Sequence, residues 1–170
     1  MRTSQDWSDD LGGLRAFAQA LVVEDDDAYG ASLAARLVRQ ATFARLAWPG
    51  RGALSPKARM FHEFVALYRR HVRKAERDER ERPRSEIRIE PVRQDSPTAR
   101  SVRRLPLDLR EALLLVALSG FAHAEGAQIL DISLPQMIDR LRDARERLAQ
   151  SLAGDGAPAF RRTPHLRLVK

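Results

Sequence analysis

Residues 105–148 read LPLDLREALLLVALSGFAHAEGAQILDISLPQMIDRLRDARERL, and their spacing decides the fold class. After Leu105 and Pro106, the residues Leu109, Leu113, Val116 and Ala117 form one apolar stripe at helical spacing, stopped by Gly120. A short helix is expected from about Ala122 to Leu130, with Asp131 and Ile132 making the turn that follows. Ser133, Leu134, Pro135 and Gln136 have the Ser-x-x-Gln form of a capping box, in which two side chains satisfy backbone groups at a helix start. Met137, Leu141, Ala144 and Leu148 continue behind it at i, i+4, i+7 and i+11. Helix, helix, tight turn and long helix make a helix-turn-helix layout.

The rest of the chain has the same periodicity. Leu11, Leu14, Phe17 and Leu21 follow Ser8, with Asp9 and Asp10 where a helix N-terminus favours carboxylates. Asp25 to Asp27 offer the next cap, and Tyr29, Leu33, Leu37 and Ala41 follow in i+4 steps until Trp48, Pro49 and Gly50 break the chain. Ser55 and Pro56 start a third helix whose face is Phe61, Phe64, Val65, Tyr68 and Val72, ending in a charged run before Pro83. No alternating run with turn signals points to a strand, so the expected class is all-α. Residues 83–104 hold Pro83, Pro91, Pro97 and many arginines with few large apolar side chains, which reads as a linker. Two small helical domains are therefore expected, 1–82 and 105–153, joined by 83–104 and followed by a loose tail, 154–170.

Composition narrows the function. The 170 residues include no cysteine, which removes disulfide frameworks, thiolate metal sites and cysteine nucleophiles and fits a reducing cytoplasm. No apolar run approaches a membrane span, and the acidic N-terminus is unlike a signal peptide. His62, His71, His123 and His165 lack metal-ligand spacing, and no glycine-rich phosphate loop occurs, so neither an enzyme, a cofactor, a membrane partner nor a small-molecule substrate is expected. The net charge of +7 is unevenly placed: residues 55–104 carry 15 basic and 8 acidic residues, whereas 1–54 and 105–153 are each slightly acidic.

The run Leu105-Pro106, Arg110 to Leu115, Gly120-Phe121, Glu125, Ala127, Ile129-Leu130, Arg140-Leu141 and Ala144 to Leu148 closely resembles region 4 of extracytoplasmic-function (ECF) sigma factors. Leu14 to Ala18 and the helix from Phe61 to Arg82 resemble region 2 more weakly. The resemblance implies a protein that grips RNA polymerase core and holds promoter DNA. Two departures from the family pattern oppose that. The core-binding segment, of the form Asp-Leu-Val-Gln-Glu, is matched here by Arg36-Leu37-Val38-Arg39-Gln40, with two arginines and no acid. The outer face of the last helix carries Pro135, Asp139, Arg142 and Glu146 with Asp143 beside it, and acids there oppose the phosphate neutralisation on which DNA affinity depends.

A branch of the family shows such losses: the sigma-factor-like domain of PhyR-type general stress response regulators. Ser55-Pro56-Lys57 with Phe61, Phe64 and Tyr68 looks like its third helix, Asp27-Ala28-Tyr29 like its second-helix entry, and Ala127 to Asp131 like its region 4 turn. That likeness implies an anti-anti-sigma role, sequestering a small NepR-like anti-sigma factor. No receiver domain follows residue 150, so phosphorylation control within the same chain is not expected. The expected partner surface is an apolar groove between the blocks, offered by Leu67 and Tyr68 on one side and by Leu114, Leu115 and Leu118, which lie off the Leu109–Leu113–Val116 stripe, on the other. Under the alternative, a working sigma factor, DNA contacts fall to Arg69, Arg70, Arg73, Lys74, Gln136, Arg140 and Arg142. The basic stretch 69–84 also reads as a solvated helix end, since it lacks aromatic stacking platforms beyond Tyr68.

Overall fold

The computed structural model describes residues 4–22, 27–47, 54–81 and 96–155. Among the described residues there are seven helices and no strand: α1 (Ser4–Leu21), α2 (Asp27–Ala47), α3 (Pro56–Glu81), α4 (Pro97–Arg103), α5 (Leu107–Ala117), α6 (His123–Leu130) and α7 (Leu134–Asp155). The all-α expectation holds. Asp25, Asp26, Trp48 to Gly50, the first part of the proposed linker and nearly all of the proposed tail lie outside the described residues.

Local chemistry sets most helix ends. Ser55 Oγ accepts the Ala58 N–H at 3.1 Å, ahead of the first-turn Pro56 of α3. The capping box also forms, with Gln136 Oε1 accepting the Ser133 N–H at 2.9 Å and Ser133 Oγ taking the Gln136 N–H at 3.4 Å. Gly120 adopts a left-handed φ of 70°, turning the chain so that the Phe121 N–H returns to Leu115 O at 3.1 Å. At the end of α6 the left-handed residue is Asp131 (φ 55°), and the Ile132 N–H closes on Ala127 O at 3.0 Å in a Schellman pattern.

Three elements differ from expectation. α1 begins at Ser4 rather than after Ser8, and Trp7, packed against the core, lies on its added first turn. Tyr29 is 48% exposed although it heads the Leu33–Leu37–Ala41 series. Steps of four residues drift about 40° each around a helix, so three such steps carry Tyr29 off the buried face. The second half of the stretch read as a linker is helical: Ser96 Oγ accepts the Ala99 N–H at 3.2 Å, Pro97 opens α4, and Ser101 is buried against α7 with its Oγ 2.9 Å from Ser151 Oγ.

α1, α2 and α3 pack on one another, and α4, α5 and α6 pack on α7. Phe17 lies against Phe61 and Phe64, with ring centroids 5.2 and 5.9 Å apart. The main core does not stop at the first block. Ala112, Leu114, Leu115, Phe121, Ala127, Ile129, Leu130, Met137 and Leu141 join the same cluster as the α1–α3 residues. A smaller cluster of Leu105, Leu109, Leu113 and Ala144 holds the other side of α5. Every residue from Leu109 to Leu115 is therefore buried.

Candidate functional site

One face of α3 forms a rail against the second block. Lys57, Phe61 and Arg69 lie on it at four- and eight-residue steps, with His62 beside Phe61. Lys57 Nζ donates to Ser119 O at 3.1 Å and sits 4.8 Å over the Phe121 ring. The Phe61 and Phe121 rings meet edge to face at 4.9 Å, so the aromatic chain that begins at Phe17 crosses the seam. Full burial of Phe61 and near-full burial of Phe121 contribute about 1.5–3 kcal/mol each.

Two further contacts on this rail address the C-terminal end of α6, where the last carbonyls have no partner within the helix and the helix dipole is negative. His62 Nδ1 lies 3.0 Å from Ile129 O and 3.7 Å from Asp131 Oδ2. A carbonyl can only accept, so this geometry requires the proton on Nδ1. Arg69 donates from Nη1 to Leu130 O at 3.3 Å and turns the rest of its guanidinium on Glu111. Arg69 Nη2 is 2.6 Å from Glu111 Oε2, and Nε is 3.0 Å from Oε1. The Glu111 side chain is 1% exposed and that of Arg69 28%.

Such a pair is held together by geometry more than by charge, because desolvation offsets most of the Coulomb gain. Burial pushes the Glu111 carboxyl above its ordinary value, while the hydrogen bonds from Arg69 pull the other way. The Glu111 hydrogen bond in turn raises Arg69, which therefore stays charged. On the next residue, Arg110 is lowered by burial and is anchored through Nη1 to Arg103 O at 2.9 Å. Sequence reasoning does not single out Glu111, Lys57 or His62 for this seam. The available signal is the charged pair Arg110-Glu111, set between Leu109 and the apolar run Ala112 to Ala117 of α5.

The residues expected to face a partner divide by burial. Leu115 is fully buried, Tyr68 is 2% and Leu114 7% exposed, so all three are used inside the protein. Leu67 is half-buried against the main cluster, and Leu118 stands 49% exposed. The apolar residues of α5 that lie off its first stripe, Leu114 and Leu115, are thus what the first block packs on.

The residues considered for DNA contact are largely engaged already. Arg69 is held by Glu111, and Gln136 is part of the α7 cap. Arg140 Nε is 3.8 Å from Asp108 Oδ2. Arg142 lies between two acids, with Nη2 3.0 Å from Asp139 Oδ1 and Nε 3.6 Å from Asp143 Oδ1. Arg70, Arg73 and Lys74 stay exposed on α3, and Arg70 Nε donates to Ala66 O of its own helix, 3.4 Å away. No group of histidines and acids suited to a metal ion occurs among the described residues, and no described helix is long and apolar enough to cross a membrane.

No family model matches the chain. A segment of 57 residues is 40% identical to the ECF RNA polymerase sigma factor EcfG of Rhodopseudomonas palustris (strain TIE-1), covering 34% of this chain and 32% of that protein. The chain thus matches about a third of that relative's length. Among solved structures, it resembles the sigma factor RpoE in complex with the anti-sigma factor NepR from Bartonella quintana, with a TM-score of 0.65 and 24% identity over 89% of this chain and 96% of that one. It also resembles the PhyRSL–NepR complex from Sphingomonas sp. Fr1, with a TM-score of 0.63 and 18% identity over 98% of this chain and 99% of that one. The anti-anti-sigma factor PhyR complexed with NepR from Bartonella quintana matches with a TM-score of 0.56 and 18% identity, over 86% of this chain and 49% of that one. These likenesses extend over both helical blocks, and the fold of this chain is that of sigma factors and sigma-factor-like domains.

Proposed function

We propose that the chain regulates transcription in the cytoplasm as a sigma-factor mimic, an anti-anti-sigma protein that holds a small helical NepR-like anti-sigma factor and thereby frees a working sigma factor in a stress response. The observation that carries this reading is the state of α7: Arg142 is neutralised by Asp139 and Asp143, and Gln136 is committed to the cap. If α7 is the recognition helix of a helix-turn-helix, it offers the major groove acids and internally paired arginine, which opposes counterion release. The structures it resembles are complexes with NepR, which supports a protein partner. Leu118 and the half-buried Leu67 are the partner contacts we propose, with Tyr68, Leu114 and Leu115 supporting them from beneath. The domain division we propose is 1–82, the connection 83–104, whose helix α4 packs on α7, then 105–153 and the tail 154–170.

The test is titration of a purified NepR-type anti-sigma factor into the full chain by calorimetry. A one-to-one complex with a Kd of about 1 μM or tighter is expected, and Leu118→Asp should weaken it at least about tenfold without lowering the melting temperature. Absence of binding at about 100 μM would overturn the reading. A working ECF sigma factor is the second reading, favoured by the 40% identical segment and by exposed Arg70, Arg73 and Lys74. Protection of a −35 promoter element at physiological salt would establish it instead.

A further inference from the structure

The two contacts proposed for the anti-sigma factor lie on different blocks, Leu67 on α3 and Leu118 at the end of α5. A partner that touches both therefore reads the angle between the blocks. The apolar part of the seam does not set that angle, because apolar burial is non-directional and rewards any arrangement that excludes water. Hydrogen bonds are directional, and α3 makes them to the second block at three separate places. Lys57 Nζ donates to Ser119 O just past α5, His62 Nδ1 meets Ile129 O in the last turn of α6, and Arg69 meets Glu111 in the second turn of α5. Lys57 and Arg69 are twelve residues apart, which a helix spaces by about 18 Å, so together they align the second block along α3. What is left is rotation about α3, and Arg69 addresses it. Its planar fork grips Glu111 on α5 while Nη1 reaches Leu130 O on α6, so a turn of the block breaks one bond or the other.

We propose that Arg69 is a positioning residue for the anti-sigma site: through Glu111 and Leu130 O it holds Leu118 at the angle to Leu67 at which one partner meets both. This role rests on the anti-sigma reading and adds that the site stands preformed in the free chain, before any partner binds. Apparent affinity falls in proportion to the fraction of molecules in the binding-competent arrangement. A chain with a tenth of its population at the right angle therefore binds about tenfold more weakly, with every contact residue still present. Replacing Arg69 by Met and Glu111 by Leu separates angle from stability. An apolar pair keeps the blocks together, but it has no fork with which to fix their rotation.

The chain has no cysteine, so Gln40→Cys on α2 and Gln150→Cys on α7, both exposed, give a spin-label pair that reports the distance between the blocks by double electron–electron resonance. One narrow distance distribution is expected for the free chain, unchanged when a purified NepR-type anti-sigma factor is added. Arg69→Met with Glu111→Leu should broaden that distribution and weaken anti-sigma binding at least about tenfold in calorimetry, although the melting temperature returns towards that of the wild-type chain. Lys57→Met encloses no unpaired charge and so keeps the fold; it should broaden the distribution less and weaken binding about threefold. A broad distribution in the free wild-type chain, a distance that shifts on adding the anti-sigma factor, or wild-type affinity in the folded double variant would overturn the proposal. So would weaker binding with an unchanged distribution, which would make Arg69 a direct contact. A narrow distribution with no complex formed by the wild-type chain would instead sink the anti-sigma reading, and with it this role of Arg69.

Discussion

Arg69 in the seam and Arg142 on α7 are both paired with carboxylates, yet their surroundings give the two pairs different work. Arg69 meets a carboxylate that is 1% exposed, through three nitrogen–oxygen contacts of 3.2 Å or less. Its fourth bond reaches the end of α6, so one side chain ties α3 to two helices of the other block. Arg142 is 61% exposed, its partners are 59% and 51% exposed, and all three residues lie on one helix. A pair of that kind contributes little to stability, because water already solvates both charges. What it does contribute is a cancelled charge on the surface that a DNA-reading helix would need positive. Charge pairs thus build the joint in one region and remove a nucleic-acid signal in the other.

The largest expected effects break the seam. Arg69→Ala leaves the Glu111 carboxylate enclosed without its partner and should cost about 3–5 kcal/mol, read as a shift of the urea midpoint. Arg69→Met with Glu111→Leu together should recover most of that loss, since an apolar pair of similar volume needs no counter-charge. Phe61→Ala should also cost about 3–5 kcal/mol, because it empties a ring site shared by Phe17 and Phe121. Smaller is Ser133→Ala, about 1 kcal/mol through the α7 cap. Arg142→Ala should change stability by less than about 0.5 kcal/mol, which sharpens the contrast with Arg69. Asp139→Ser with Asp143→Arg should leave the melting temperature within about 2 °C and raise the affinity for duplex DNA, with a steeper salt dependence.

The smallest effect is in pH. Because burial raises the Glu111 carboxyl in the folded protein, its contribution to stability is full below its ordinary unfolded value of 4.5 and fades as pH rises through the raised folded value. Measured against Glu111→Gln, the wild-type chain should therefore lose relative stability as pH rises from 4.5 through the raised folded value. A relative gain over that range would mean that Arg69 outweighs desolvation.

Features whose partners are close along the chain are legible in the sequence alone. The Ser55 cap, the Ser133–Gln136 box, the Gly120 stop and the Asp131 turn each depend on neighbours within a few residues. The seam is not legible in the same way, because Arg69 and Glu111 are 42 positions apart and no local pattern pairs them. Periodicity also treats a helix as having one buried side. The stripe of Leu109 and Leu113 on α5 is real, but Leu114 and Leu115 are buried by a different set of helices. A sequence can show that such residues are apolar without showing whether a partner or the chain's own first block covers them. For Leu118 the fold leaves the side chain exposed, and for Leu115 it does not.

The central claim is that this sigma-factor fold serves a protein partner rather than a promoter. Its most direct test is affinity capture of the full chain from its native cells, followed by mass spectrometry of what co-purifies. A small helical anti-sigma factor at near-stoichiometric level and no enrichment of the RNA polymerase core subunits are expected. Stoichiometric recovery of the core subunits without an anti-sigma factor would contradict the central claim.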